Sequence, residues 1–286
     1  MVNRAFRCAC CLGGLLLFAL LNDLLGQRSP VVGLDHIPVA VSDLEQASAT
    51  YRALGFAIKP GRDHANGIRN AHVKFRDGSG IELITVDSAV DELTTQYVEF
   101  LAHGEGPAFL ALHARETNRL IAALRVGGYE FRRDGDVIDL RQPELAYLFF
   151  VRDNRSPTDR PEHFAHRNGA TALRAVWIAT ESGAELERLL VHLGGSSARR
   201  TVLAPDSVVA TVVTVDQGEV VILPVSHQVA AGRPIIGASF RVSDVDLVTR
   251  QLSAAGTAVR FEKGAAHRIV VPPCATHGIW LEFRSW

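Results

Sequence analysis

Net charge is almost missing from this chain of 286 residues: 30 Lys and Arg stand against 31 Asp and Glu, for a formal charge of -1. With no long basic run either, nothing here offers an electrostatic footprint for nucleic acid, which is excluded as a partner. Cysteine is scarce in the body of the chain. Of four, Cys8, Cys10 and Cys11 fall in an N-terminal apolar run and only Cys274 lies beyond it, so no disulfide framework follows. A Cys-x-Cys-Cys cluster in a leucine-rich stretch without a nearby His does not read as a zinc knuckle. The G-x-S-x-G elbow of serine hydrolases is lacking, and Ser79, within Gly78-Ser79-Gly80, belongs to a hairpin turn. Cys274 precedes His277 by three residues in a loop, with nothing to activate a thiolate. What is present is ordinary for a globular protein, 47% hydrophobic and 21% charged, which excludes disorder, coiled coil and collagen.

The first 28 residues read as an address. Arg4 and Arg7 precede an uncharged run from Cys8 to Leu21, the pattern of a secretory signal with a basic start and an apolar middle. That run is short for a membrane span, which needs about 20 apolar residues. Export to a periplasmic or extracellular space, or retention by a membrane anchor through residues 8–25, is the expectation; a cytoplasmic protein with a mis-set start is the alternative. Either way residues 1–28 are set apart from the fold, leaving about 258 for one large domain or two ordinary ones.

Those residues repeat one pattern four times. The first copy has an apolar strand from Gly33 to Val41, an N-cap at Ser42-Asp43, an amphipathic helix from Leu44 to Leu54 and a stop at Gly55. Extended segments follow, Ala71 to Arg76 and Ile81 to Val86, around a turn at Asp77-Gly78. Asp43 to Gly55, Glu116 to Gly128 and Asp244 to Gly256 are each twelve residues apart, which marks a true repeat of order β-α-β-β-β. A third, looser copy carries strand Leu173 to Ala179, a helix from Ala184 and a stop at Gly194-Gly195. One such unit cannot bury its sheet face alone, so units pair, and four make an α+β protein with two curved sheets, each enclosing a cleft. The expected division is a first half over 29–154 with units at 33–87 and 106–152, a connector over 155–167, and a second half over 168–286. A helix between Asp91 and Leu101 serves as a second connector.

At Leu34-Asp-His-Ile-Pro-Val-Ala-Val-Ser-Asp-Leu44, Gly61-Arg-Asp-His-Ala-Asn-Gly-Ile-Arg-Asn70, Asp77-Gly-Ser-Gly-Ile-Glu-Leu-Ile84 and His277-Gly-Ile-Trp-Leu-Glu-Phe283, the chain resembles the vicinal oxygen chelate superfamily and, within it, the glyoxalase-like domain family. The resemblance implies two domains like those of glyoxalase and dihydroxybiphenyl dioxygenase, built from four βαβββ modules. It implies a divalent metal (Zn, Fe, Mn or Ni) held by a His on the first strand of a unit and a Glu on the last, positions that His36 and Glu82 match. Lyase, isomerase or dioxygenase chemistry on a small oxygen-bearing substrate would follow, and related folds often form homodimers.

The residues make part of that case by themselves. His36 and Glu82 each interrupt an apolar strand, and a buried carboxylate is costly unless paired, hydrogen-bonded or metal-bound. Glu82 is also the candidate proton-transfer group. The counterparts of His36 in the other units are Phe109, about Ala175, and Gly237, none able to ligate. A third ligand is expected from His64, with His113 as a further candidate and Glu282 as another if the first and fourth units share a cleft. Asn70 is placed as a substrate contact. His163, His166 and Asn168, beside the connector, read as a loop bonding its own backbone. With one strand His in four units, a metal-free binding protein is the rival reading, and the second half reads as a degenerate partner.

Overall fold

A computed structural model of the protein describes residues 29–152, 154–257, 260–262 and 267–286. The address expected over 1–28 lies outside them. Among the described residues no helix is long and apolar enough to cross a membrane.

The first unit comprises β1 (Val31–Leu34), β2 (His36–Ala40), α1 (Leu44–Ala53), β3 (Lys59–Asp63), β4 (Ile68–Lys74) and β5 (Gly80–Val86). Helix α2 (Glu92–Ala102) leads to the second unit: β6 (Gly106–Pro107), β7 (Leu110–Ala114), α3 (Thr117–Val126), β8 (Phe131–Asp134), β9 (Val137–Leu140) and β10 (Leu148–Val151). The third has β11 (Ala170–Ala179), α4 (Gly183–His192), β12 (Ser196–Leu203), β13 (Ser207–Val215) and β14 (Gly218–Leu223). The fourth has β15 (Ile235–Val242), α5 (Val245–Ala254), β16 (Arg260–Glu262), β17 (Arg268–Val271) and β18 (Trp280–Arg284).

In every unit the strand before the helix pairs in parallel with the last strand: β2 with β5, β7 with β10, β11 with β14, β15 with β18. That shared pairing is the repeat seen as geometry. The helices obey their sequence signals. Asp43 accepts from the Gln46 N–H and Asp244 from the Asp246 N–H, and the stops at Gly55, Gly128 and Gly256 have φ of 90°, 73° and 64°, left-handed values that favour glycine.

The halves close differently. In the second, one eight-stranded sheet runs β12-β13-β14-β11-β15-β18-β17-β16, with β11 and β15 joining the units. In the first, two five-stranded sheets form, β3-β4-β5-β2-β6 and β1-β7-β10-β9-β8. The single strand expected from Gly33 to Val41 is therefore two, broken at Asp35. The Asp35 N–H donates to Ala111 O of β7 while Gly80 N–H of β5 donates to Asp35 O, so this residue passes the chain from one sheet to the other.

One hydrophobic core runs through both halves. Phe56 stands 5.3 Å from Phe240 and 5.7 Å from Phe283, ring centre to ring centre, and Phe75 stands 5.7 Å from Phe240. The residues beside the connector join this seam, which corrects the reading of a self-contained loop. His166 Nδ1 accepts from the Ala57 N–H at 2.9 Å and Nε2 donates to Lys74 O at 3.0 Å, while burial holds its pKa below the ordinary value. Asn168 is buried and donates to Leu54 O. His163 bonds within its own turn, to the Arg160 N–H, and Asn168 Oδ1 also accepts locally, from the Ala170 N–H. The connector also delivers Asp159 to two buried ammonium groups, Lys59 at 2.5 Å and Lys74 at 2.8 Å.

Candidate functional site

The first half opens a cleft of about 900 Å3. His36 of β2 and Glu82 of β5 share its floor because of register. Pro38 faces Glu82 in the parallel pair, and alternation along β2 puts His36 on the same face. Across the other side of β5, His72 and Asn70 of β4 face Glu82 and Ile84.

The pair is held from behind. His36 Nδ1 donates to Asp35 Oδ1 at 2.5 Å, which turns Nε2 toward Glu82 Oε2 at 3.3 Å. Asn70 Nδ2 donates to the other carboxylate oxygen, Oε1, at 2.5 Å. The two side chains retain only 13% and 14% of their surface. Burial disfavours the His36 cation, but hydrogen bonds to Asp35 and Glu82 outweigh it and hold the imidazolium up to about pH 10. Burial likewise disfavours the Glu82 anion, and the bond to His36 outweighs it, bringing the carboxyl down to about 2. The result is an ion pair flanked by a second carboxylate.

Around that pair the walls are aromatic. Phe149 meets the His36 ring edge-on at 5.6 Å, Phe109 lies 6.4 Å beyond, and Tyr97 another 5.5 Å on. Tyr97 is buried, which keeps its phenol protonated well past the usual range. Helix α2, expected as a plain connector, is thus a wall of the cleft, contributing Tyr97 and Leu93. At the mouth, Glu92 of α2 receives Arg132 and Arg141 from the β8–β9 hairpin.

The expected residues fare unequally. His64, just after β3, lines the cleft and stands 3.4 Å from Asn70 Nδ2, one side chain removed from Glu82. His113 lies beside Val151, on the face of β7 that Phe109 begins, but does not line the cleft. Glu282 requires a correction. The carboxylate lies in the second half, 1% exposed and bonded to Arg268 Nη1 at 2.9 Å, and does not line the first-half cleft. Among the described residues, no three His, Cys, Asp or Glu converge as a closed metal site.

Two members of the site were missed. Asp35 looked like part of a continuous strand, although a buried acid next to a strand His is the usual sign of a carboxylate that orients an imidazole. His72 needed the β4–β5 register; burial pushes its pKa down to about 4, so it is neutral beside Glu82.

The parallel first-to-last pairing in all four units agrees with direct comparison. The glyoxalase-like domain family matches residues 34–194. The chain belongs to that family. Its fold is that of the vicinal oxygen chelate superfamily, α+β with curved mixed sheets. No curated protein matches it. Among solved structures it is similar to a xylose isomerase-like TIM barrel/4-hydroxyphenylpyruvate dioxygenase fusion protein, at 13% identity and a TM-score of 0.66, over 91% of this chain and 50% of that one. The chain thus spans half the length of the fusion protein. It is similar to the 2,3-dioxygenase LapB from Pseudomonas sp. KL28, at 15% identity and a TM-score of 0.62, over 91% and 94% of the two chains. Homoprotocatechuate 2,3-dioxygenase from Arthrobacter globiformis follows at 11% identity and a TM-score of 0.60, over 91% and 82%. At such identities the likeness is one of fold.

Proposed function

We propose that this member of the glyoxalase-like domain family is a metal-dependent enzyme acting on a small oxygen-bearing organic molecule in the first-half cleft. The observation that carries the reading is the fixed orientation of His36 Nε2 and Glu82 Oε2, side by side beneath aromatic walls and each supported from behind. Two donors sharing one first-row ion at about 2.1 Å each stand roughly 3.0–3.4 Å apart, and theirs stand at 3.3 Å. Nitrogen plus carboxylate oxygen suits Zn, Fe, Mn or Ni. His36 and Glu82 would hold the ion, and two protein donors leave positions open for two neighbouring oxygens of substrate. When bound, the ion supplies Lewis acidity for charge developing on those oxygens.

The chain's own groups do the rest. Asp35 keeps the proton on His36 Nδ1, fixing the tautomer with Nε2 toward the cleft. Asn70 occupies Glu82 Oε1, which holds Oε2 toward His36 Nε2. Tyr97, Phe109 and Phe149 exclude water from an apolar substrate body. Lyase or isomerase chemistry is favoured over dioxygenation, because the two-His, one-carboxylate set is incomplete among the described residues.

One observation favours a second reading. His36 and Glu82 already satisfy each other as an ion pair, so the cleft can serve metal-free binding of a small molecule. The deciding experiment measures turnover on a panel of 2-oxo, 2-hydroxy and vicinal diol substrates, with metal-loaded protein, with chelator, and with Glu82→Gln. Turnover lost with chelator and with the variant supports the enzyme. Binding that survives both, with no turnover, supports the metal-free reading and overturns the enzyme.

A further inference from the structure

The buried aromatic residues differ in what their polar tips touch. In the second half an indole, that of Trp177, fills the place that the first half gives to His36. Gly237, the fourth-unit counterpart of His36, makes room for it: a Cβ there would come within 2.3 Å of the ring. The indole is satisfied inside the protein, Nε1 donating to Ser239 Oγ at 3.0 Å. Tyr51 of α1 is satisfied likewise, its hydroxyl donating to Thr276 O at 3.3 Å.

Tyr97 of α2 breaks this pattern. The residue is 3% exposed and forms part of the wall of the first-half cleft. Among the described residues nothing hydrogen-bonds its hydroxyl. Nor is that hydroxyl shut away, as the one of Tyr147 is; it opens on the cleft. An O–H so placed has lost most of its water without gaining a partner, and a ligand or an ordered water is what completes such a group. Packing does not call for the oxygen. The ring meets Phe109 edge-on at 5.5 Å and lies with Ala40, Ile68 and Ile84 in a small apolar cluster, contacts that a phenylalanine would also make. What the oxygen adds is a donor on an otherwise aromatic wall.

Charge narrows the class of acceptor. Burial keeps the proton on the phenol and the Glu82 charge, which reaches it, adds to that effect, so the surroundings of the hydroxyl are electronegative. A carboxylate there would set its charge against Glu82. A neutral oxygen accepts the proton without that conflict.

We infer that Tyr97 selects the ligand of the first-half cleft, its hydroxyl donating to a neutral acceptor oxygen on a molecule whose apolar ring lies against Phe109 and Phe149. The inference rests on the reading of this cleft as the site of a small oxygen-bearing molecule, and on neither metal nor turnover.

Ligand-detected NMR titration of the full chain, with chelator present, tests it. The probes are acetophenone, its isostere α-methylstyrene, in which a methylene replaces the carbonyl oxygen, and benzoate. Acetophenone binds, and benzoate binds about tenfold weaker or worse. Tyr97→Phe weakens acetophenone by about tenfold and leaves both α-methylstyrene affinity and the urea unfolding midpoint unchanged. Phe109→Leu weakens both neutral compounds alike, which places their ring in this cleft. Acetophenone affinity unchanged in Tyr97→Phe, equal loss of both neutral compounds in that variant, or a lowered unfolding midpoint would overturn the proposal. So would benzoate binding as tightly as acetophenone, neither compound responding to Phe109→Leu, or no binding at millimolar acetophenone. Turnover is read separately on the substrate panel, so failure of the enzyme reading leaves this contrast standing.

Discussion

Glu82 and Glu282 stand at the same register of their units, opposite Pro38 and Ser239 in parallel strand pairs, and the two halves surround them differently. The first offers an imidazole, a supporting acid and an open aromatic cleft. The second offers a guanidinium, and an indole where the imidazole would stand. One backbone plan thus yields a partly exposed carboxylate beside an imidazole in one half and a buried one neutralised by Arg268 in the other. Fold sets where the glutamate sits; the residue two positions before its partner, His36 or Gly237, sets what it can do.

The sharpest way to break that contrast is a matched substitution. Glu282→Gln removes the buried carboxylate that Arg268 bonds and should cost roughly 3–5 kcal/mol in urea unfolding. Glu82→Gln, with His36 still on Asp35, should cost about 1 kcal/mol or less. Equal costs would dissolve the difference between the halves.

A smaller effect concerns the connector that joins them. Burial raises the Asp159 carboxyl, but its bonds to Lys59 and Lys74 outweigh this and hold it at about 2. A lowered carboxyl stabilises the fold above its unfolded pKa of about 3.9 and loses that contribution as pH falls toward 2. Asp159→Asn should cost roughly 2 kcal/mol at neutral pH, discounted for partial exposure, and flatten the acid limb between about pH 4 and 2. An unchanged acid limb, read by fluorescence, would contradict the assignment.

Gly237→Ala sets a methyl against Trp177 and should cost about 1–3 kcal/mol, an effect relieved when combined with Trp177→Leu. Additivity in that double-mutant cycle would mean the indole is not what excludes a side chain there. Least of all, Asn70→Ala removes one hydrogen bond from Glu82 and should cost about 1 kcal/mol of stability.

Much of this was legible in the sequence. The equal twelve-residue spacings announced the repeat, and His36 and Glu82 stood out as polar breaks in apolar strands. Asp35 was hidden because a strand break between two sheets depends on the distant Ala111 and Gly80, which no local pattern reveals. His72 was hidden because cross-strand neighbours follow from register. Glu282 was misplaced because its partner Arg268, fourteen residues earlier in the chain, meets it only across the β17–β18 pair.

Metal stoichiometry tests the central claim most directly. Full-length protein reconstituted with Zn, Fe, Mn or Ni should hold about one equivalent, lost in His36→Ala and in Glu82→Ala. Two equivalents, or one that survives His36→Ala, would place a coordinating centre outside the first cleft and contradict the account.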